Sequence, residues 1–99
     1  MENLEKYGFR KGFDWDNRFK IQTRVGNYII STVDLGLNHQ FDDDLPPLYY
    51  ETMIFNKEND VIDFHELYCE RYTTEEEARK GHEKAIEYVK NELVEVNNE

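Results

Sequence analysis

Leu67-Tyr68-Cys69-Glu70-Arg71-Tyr72-Thr73-Thr74-Glu75-Glu76-Glu77-Ala78 decides the fold, because the hydrophobic period changes within it. Up to Tyr72 the side chains alternate as a strand requires. Thr74 with Glu77 three residues on then has the form of a helix capping box, and Glu75 and Glu76 complement the dipole of the first turn. Beyond it, Ala78, Gly81 or His82, Ala85, Ile86, Val89 and Leu93 recur at three- and four-residue spacing. That is one apolar stripe, with small residues in its first half that let a helix lie close to its neighbour. A helix of this kind needs a sheet to cover, and the sequence upstream reads as that sheet.

Phe19, Ile21, Thr23 and Val25 alternate with Lys20, Gln22 and Arg24, the pattern of a half-buried strand. Gly26-Asn27 suits a two-residue type II′ hairpin turn, and a second strand runs from Tyr28 to about Leu35. Residues 36–47 hold Asn38, His39, Asp42-Asp43-Asp44 and Pro46-Pro47 and form the longest loop. Leu48–Phe55 is bulky on both faces and reads as a central strand, and the fourth strand begins near Val61 or Asp63 and ends at Tyr72. Residues 1–18, with Tyr7, Phe9, Phe13 and Trp15 between Gly8 and Gly12, fit neither period; an irregular arm lying on the sheet as a lid is expected. The expected class is α+β, one domain: arm 1–18, an antiparallel sheet of about four strands over 19–72, one long C-terminal helix over 74–94 packed on one face, and a frayed tail 95–99.

The 99 residues carry 12 basic and 22 acidic side chains, a formal charge of −10. Such a balance argues against direct binding to nucleic acid or to an anionic membrane. The charge is uneven: residues 1–40 hold six basic and five acidic side chains, and residues 41–99 hold six and seventeen. A single cysteine, Cys69, excludes an internal disulfide and fits a reducing compartment. No apolar run reaches the roughly 18 residues of a membrane span, and Met1-Glu2-Asn3-Leu4-Glu5 lacks the features of a signal peptide. A cytoplasmic protein is expected.

Candidate sites follow from the faces of the fourth strand. Leu67 and Cys69 suit the core, which leaves Phe64, Glu66, Tyr68, Glu70 and Tyr72 as a ladder of rings and carboxylates on the opposite face, with Tyr49 and Glu51 beside it. Aromatic anchors interleaved with carboxylates suit a protein partner with a basic surface. The competing reading is ordinary cross-strand pairing, or cover by the arm. His65, Cys69 and His82 sketch a zinc site that lacks a fourth ligand, and the bland alternative is a buried thiol with a histidine hydrogen-bonded at the sheet. Asp42-Asp43-Asp44 lacks the ligand spacing and central glycine of a calcium loop, so a solvated acidic tip is expected there. No nucleophile, acid–base pair or cofactor motif stands out, and no enzyme, metal or cofactor is expected. Arg10, Lys11, Arg18, Lys20 and Arg24 near Trp15 keep a small anionic ligand such as a nucleotide as an alternative.

Ser31-Thr32-Val33, Leu35-Gly36-Leu37-Asn38-His39, Pro46-Pro47-Leu48, Glu51-Thr52-Met53-Ile54-Phe55 and Glu70 through Ala78 with Gly81-His82-Glu83 resemble a family of small uncharacterised proteins encoded by tailed phages and prophages. The resemblance spans roughly residues 27–89 and implies no catalytic residue. It implies a phage or prophage setting. That setting, the small single domain and the charge of −10 together lead to the expectation of an accessory protein that binds a host protein, as a defence inhibitor or a nucleic-acid mimic. The alternative from a different class is a homo-oligomeric assembly protein, a homodimer in its simplest form, in which the aromatic face meets its own copy.

Overall fold

In a computed structural model the protein is described at residues 4–58 and 61–94, with side chains described at 5–57 and 68–93. Four strands, β1 (Lys20–Val25), β2 (Tyr28–Asp34), β3 (Tyr50–Glu58) and β4 (Val61–Tyr72), form one antiparallel sheet in the order β1-β2-β3-β4. Val25 pairs with Tyr28 across a two-residue turn whose first residue, Gly26, has φ 61°, as the hairpin signal requires. A register shift between Met53 and Phe55 interrupts the pairing of β3 with β4. The helix α1 (Glu75–Tyr88) follows and continues as a π-helical stretch, Val89–Val94.

The start of α1 is fixed by the capping box. Thr74 Oγ1 accepts from the Glu77 backbone N–H at 3.1 Å, and Glu77 Oε1 accepts from the backbone N–H of Thr74 and of Thr73, each at 3.1 Å. Ala85 and Val89 then pack with Ile30 and Ile54 of the two central strands, and all four are fully buried. Directly opposite residues of antiparallel strands share a face. The register therefore places Ile21, Thr23, Val25, Ile30, Thr32, Asp34, Tyr50, Thr52, Ile54, Glu70 and Tyr72 on the helix side. The shortest principal dimension, 20 Å, is that of one helix layer on one sheet layer, about 10 Å apart.

The observed class is the expected one, a four-stranded antiparallel sheet with a C-terminal helix on one face. Its faces at β4 are the reverse of the expectation. Cys69 is exposed, while Tyr68 and Tyr72 turn towards the helix. The physical reason is Gly81. A Cβ there would lie 2.1 Å from Tyr72 Oη, so the missing side chain makes room for a phenol. Tyrosine brings a large apolar ring into a small core, and at Tyr72 the hydroxyl is buried along with the ring.

The arm also differs from expectation. After a 3-10 turn at Leu4–Tyr7 it packs at the end of the sheet, against the β2–β3 connection. Phe9 bridges to Leu37, the Arg10 N–H donates to Gly36 O at 2.7 Å, and Phe13 is buried against Gly36. At φ 73°, with the Phe13 ring 2.8 Å from where a Cβ would sit, position 36 admits only glycine. Arg10 clamps the arm. Its Nη1 donates to Asp34 Oδ1 at 3.0 Å, its Nη2 donates to Oδ2, and its guanidinium lies 4.8 Å from the Tyr49 ring centre.

Candidate functional site

Of the expected ladder, Phe64 and Glu66 lie outside the described side chains. Tyr68, Glu70 and Tyr72 line a groove of about 420 Å³ between β4 and α1, opposite Lys80, Gly81 and Lys84. Tyr68 stacks at a tilt on Tyr88, 5.1 Å between ring centres. Burial pushes both Tyr68 and Tyr72 phenols above their ordinary titration range. The Tyr72 hydroxyl is buried and makes no hydrogen bond; Thr52 lies close enough to favour the phenolate but not in bonding geometry. Tyr49 is half-buried beneath Arg10, and Glu51 is on the other face of the sheet. Among the described residues the expected surface is therefore divided: Tyr68, Glu70 and Tyr72 form a groove wall facing the helix, while Glu51 lies on the opposite face of the sheet.

His82 occupies the centre of the helix–sheet interface and is 2% exposed. Its Nε2 is 2.8 Å from Thr23 Oγ1 and its Nδ1 is 2.7 Å from Thr32 Oγ1, which in turn is 2.6 Å from Thr52 Oγ1. Burial lowers the His82 pKa, with Glu83 opposing more weakly. The neutral ring then donates from one nitrogen and accepts at the other, so the Thr23 and Thr32 hydroxyls satisfy both nitrogens, and Thr52 in turn partners Thr32. Cys69 is on the far side of the sheet, so it cannot share a metal ion with His82. His65 lies outside the described side chains, and no cluster of metal-ligating side chains occurs among the described residues.

Among the described side chains, the sheet face opposite the helix carries Lys20, Gln22 and Arg24 on β1, Ile29, Ser31 and Val33 on β2, Glu51, Met53, Phe55 and Lys57 on β3, and Cys69 and Arg71 on β4. Lys20, Arg24 and Arg71 are exposed, while Ile29, Val33 and Met53 are half-buried. Glu51 is the one carboxylate among the described strand side chains on this face. It is held by Arg71, Nε to Oε2 at 2.9 Å, and accepts from Cys69 Sγ at 3.5 Å. Among the described side chains, a protein of charge −10 thus carries a net basic set with an apolar middle on this face.

The loop between β2 and β3 is the opposite. Asn38 Oδ1 accepts from the backbone N–H of Gln40 and of Leu48, His39 N–H donates to Leu48 O, and Asp42 accepts from Asp44 N–H through its carboxylate and from Leu45 N–H through its carbonyl. These bonds hold a defined shape, and Asp42 serves as a turn former in it. Phe41 is 99% exposed and Leu45 52% exposed, on either side of the three aspartates. Sequence reading took the aspartates alone; the signal it passed over was the apolar residue at each end of the run.

No family model matches the chain, and neither the curated proteins nor the solved structures include a match to it. No helix among the described residues is long and apolar enough to cross a membrane.

Proposed function

We propose that the protein is a non-catalytic binding protein and that the β2–β3 loop is the element it presents to a partner. The observation that carries this reading is the 99% exposure of Phe41 on a loop whose backbone is internally hydrogen-bonded. An aromatic ring left in water forgoes roughly 2 to 3 kcal/mol of burial free energy. A partner's pocket recovers it, and Leu45 supplies a second anchor. Asp42, Asp43 and Asp44 between the anchors select a basic rim around that pocket.

The phage setting implied by the resemblance makes a host protein the partner, and three adjacent carboxylates entering a basic pocket suit either inhibition or mimicry of a phosphate backbone. The ladder on β4 is not part of this surface, since its tyrosines are engaged with the helix. The test is affinity capture from host lysate with the wild type and with Phe41→Ser/Leu45→Ser, both verified as folded by circular dichroism. A partner held by the wild type and lost by the variant is the expected result. Equal recovery by both, or no specific partner with either, refutes the reading.

A further inference from the structure

The acidic, apolar loop and the basic, apolar sheet face are complementary in charge and in character, and they belong to one chain. We infer that the open sheet face of one copy receives the loop of a second copy, so that the protein associates head to tail. This rests on the proposed role of the loop as a docking element and gives that loop a receptor in the absence of a host partner, so that self-association and partner binding compete.

The match is made by specific groups. Lys20, Arg24 and Arg71 are exposed on the receiving face, and its one described strand carboxylate, Glu51, is already neutralised by Arg71. With Arg71 engaged by Glu51, Lys20 and Arg24 are the exposed cations that three aspartates on the incoming loop meet, with little local repulsion. Between the cations, Ile29, Val33 and Met53 offer an apolar floor for Phe41 and Leu45. Beside Val33 a depression of about 370 Å³, lined also by Arg18, Lys20, Ile21, Gln22 and Ser31 at the β1 edge, has more than the volume of a phenyl ring.

Donor and receptor are different surfaces, so the contact is heterologous, and such contacts extend into rings or chains rather than stopping at a pair. Face-to-face pairing of two open faces is disfavoured, because it would set the same cations against each other. Net charge alone misleads here. It predicts mutual repulsion between copies, whereas the local fields of the loop and the face have opposite signs.

The experiment is sedimentation analysis of the full chain over a wide concentration range. It compares the wild type, a loop variant Phe41→Ser/Leu45→Ser, a face variant Lys20→Glu/Arg24→Glu, and an equimolar mixture of the two variants. The inference expects a wild-type mass that climbs past the dimer with concentration, two monomeric variants, and a mixture that forms a pair with one chain of each kind and nothing larger. A wild type that stays monomeric throughout, a closed dimer that survives both sets of substitutions, or a mixture without pairs overturns it. A monomeric wild type that binds a single-stranded oligonucleotide or an acidic peptide on this face also overturns it, by assigning the face to another occupant. Lysate capture separates the two readings. A monomeric wild type whose partner is lost in the loop variant removes self-association and leaves the proposed function standing. A loop variant that loses self-association yet keeps its partner does the reverse.

Discussion

His82 Nδ1 lies 2.7 Å from the Thr32 hydroxyl while its Nε2 lies 2.8 Å from the Thr23 hydroxyl, so one buried imidazole on the helix joins two neighbouring strands. Thr52 extends the chain of hydroxyls to a third strand through Thr32. Removing the ring leaves buried hydroxyls without partners and a cavity, which together cost about 2 to 4 kcal/mol. His82→Ala is expected to show that loss in urea denaturation, and Thr32→Val about half of it. An unchanged midpoint for His82→Ala would show that the network is incidental.

The same network gives stability a pH dependence. Burial lowers the folded-state pKa of His82 below the ordinary 6.5. Between that lowered value and 6.5 the unfolded chain takes up a proton that the folded chain does not. The stabilisation is therefore complete above pH 6.5 and is lost as pH falls through the folded value. The wild type is expected to lose more stability than His82→Gln over this interval. Parallel pH profiles for the two proteins would exclude His82 as the titrating group.

The order of elements was legible in the sequence because each carries its own local signal. Thr74 and Glu77 mark the helix start, Gly26-Asn27 marks the hairpin, and the alternation of Ile21, Thr23 and Val25 marks the first strand's buried side. The facing of β4 was not legible. Leu67 and Cys69 outrank Tyr68 and Tyr72 in hydrophobicity, and only the space above Gly81, set by the helix's placement on β2 and β3, inverts that ranking. The surfaces were hidden for a similar reason. A charge of −10 summed over the chain gives no hint that Lys20, Arg24 and Arg71 converge on one face, a consequence of successive strand pairings that carry the sheet from β1 to β4.

Gly81 and Tyr72 form a pair whose coupling is measurable. An alanine Cβ at 81 would stand 2.1 Å from Tyr72 Oη and 2.2 Å from the ring carbon that bears it, so the whole ring must move. Gly81→Ala is expected to destabilise by about 1 to 3 kcal/mol, despite alanine's better helix propensity. In a Tyr72→Ala background the clash is absent and the propensity gain of about 1 kcal/mol should emerge. Additive effects in this double-mutant cycle would contradict the contact. Tyr72→Phe removes only a buried hydroxyl that makes no hydrogen bond, so it is expected to be neutral or slightly stabilising.

Arg10 holds the arm through a two-bond contact with Asp34, whose side chain is 5% exposed. Loss of the guanidinium leaves that carboxylate with the Gly36 N–H as its remaining hydrogen-bond donor. Arg10 is itself 30% exposed, so the cost is discounted from that of a fully buried pair to about 2 kcal/mol. Arg10→Lys should recover little of it, because an ammonium cannot make both bonds in one plane. Limited proteolysis is the direct readout: cleavage within residues 5–18 should accelerate in both variants while the sheet and helix remain intact. Equal cleavage rates in wild type and variants would remove Arg10 from its role as clamp.

Cys69 gives a chemical reading of the open face. Its thiol is exposed, yet partial burial, then the Glu51 carboxylate at 3.5 Å, push its pKa up, with Arg71 opposing. The thiolate is the reacting species, so alkylation near pH 8 should be several-fold slower than for an unstructured cysteine. Glu51→Gln removes the neighbouring charge and is expected to speed the reaction; Arg71→Ala removes the opposing cation and should slow it. Equal rates for wild type and both variants would mean that Glu51 and Arg71 do not act on the thiol. The rate also reports on cover. If the loop of a second copy sits on this face, alkylation of the wild type should slow as protein concentration rises, whereas Lys20→Glu/Arg24→Glu should react at one rate throughout.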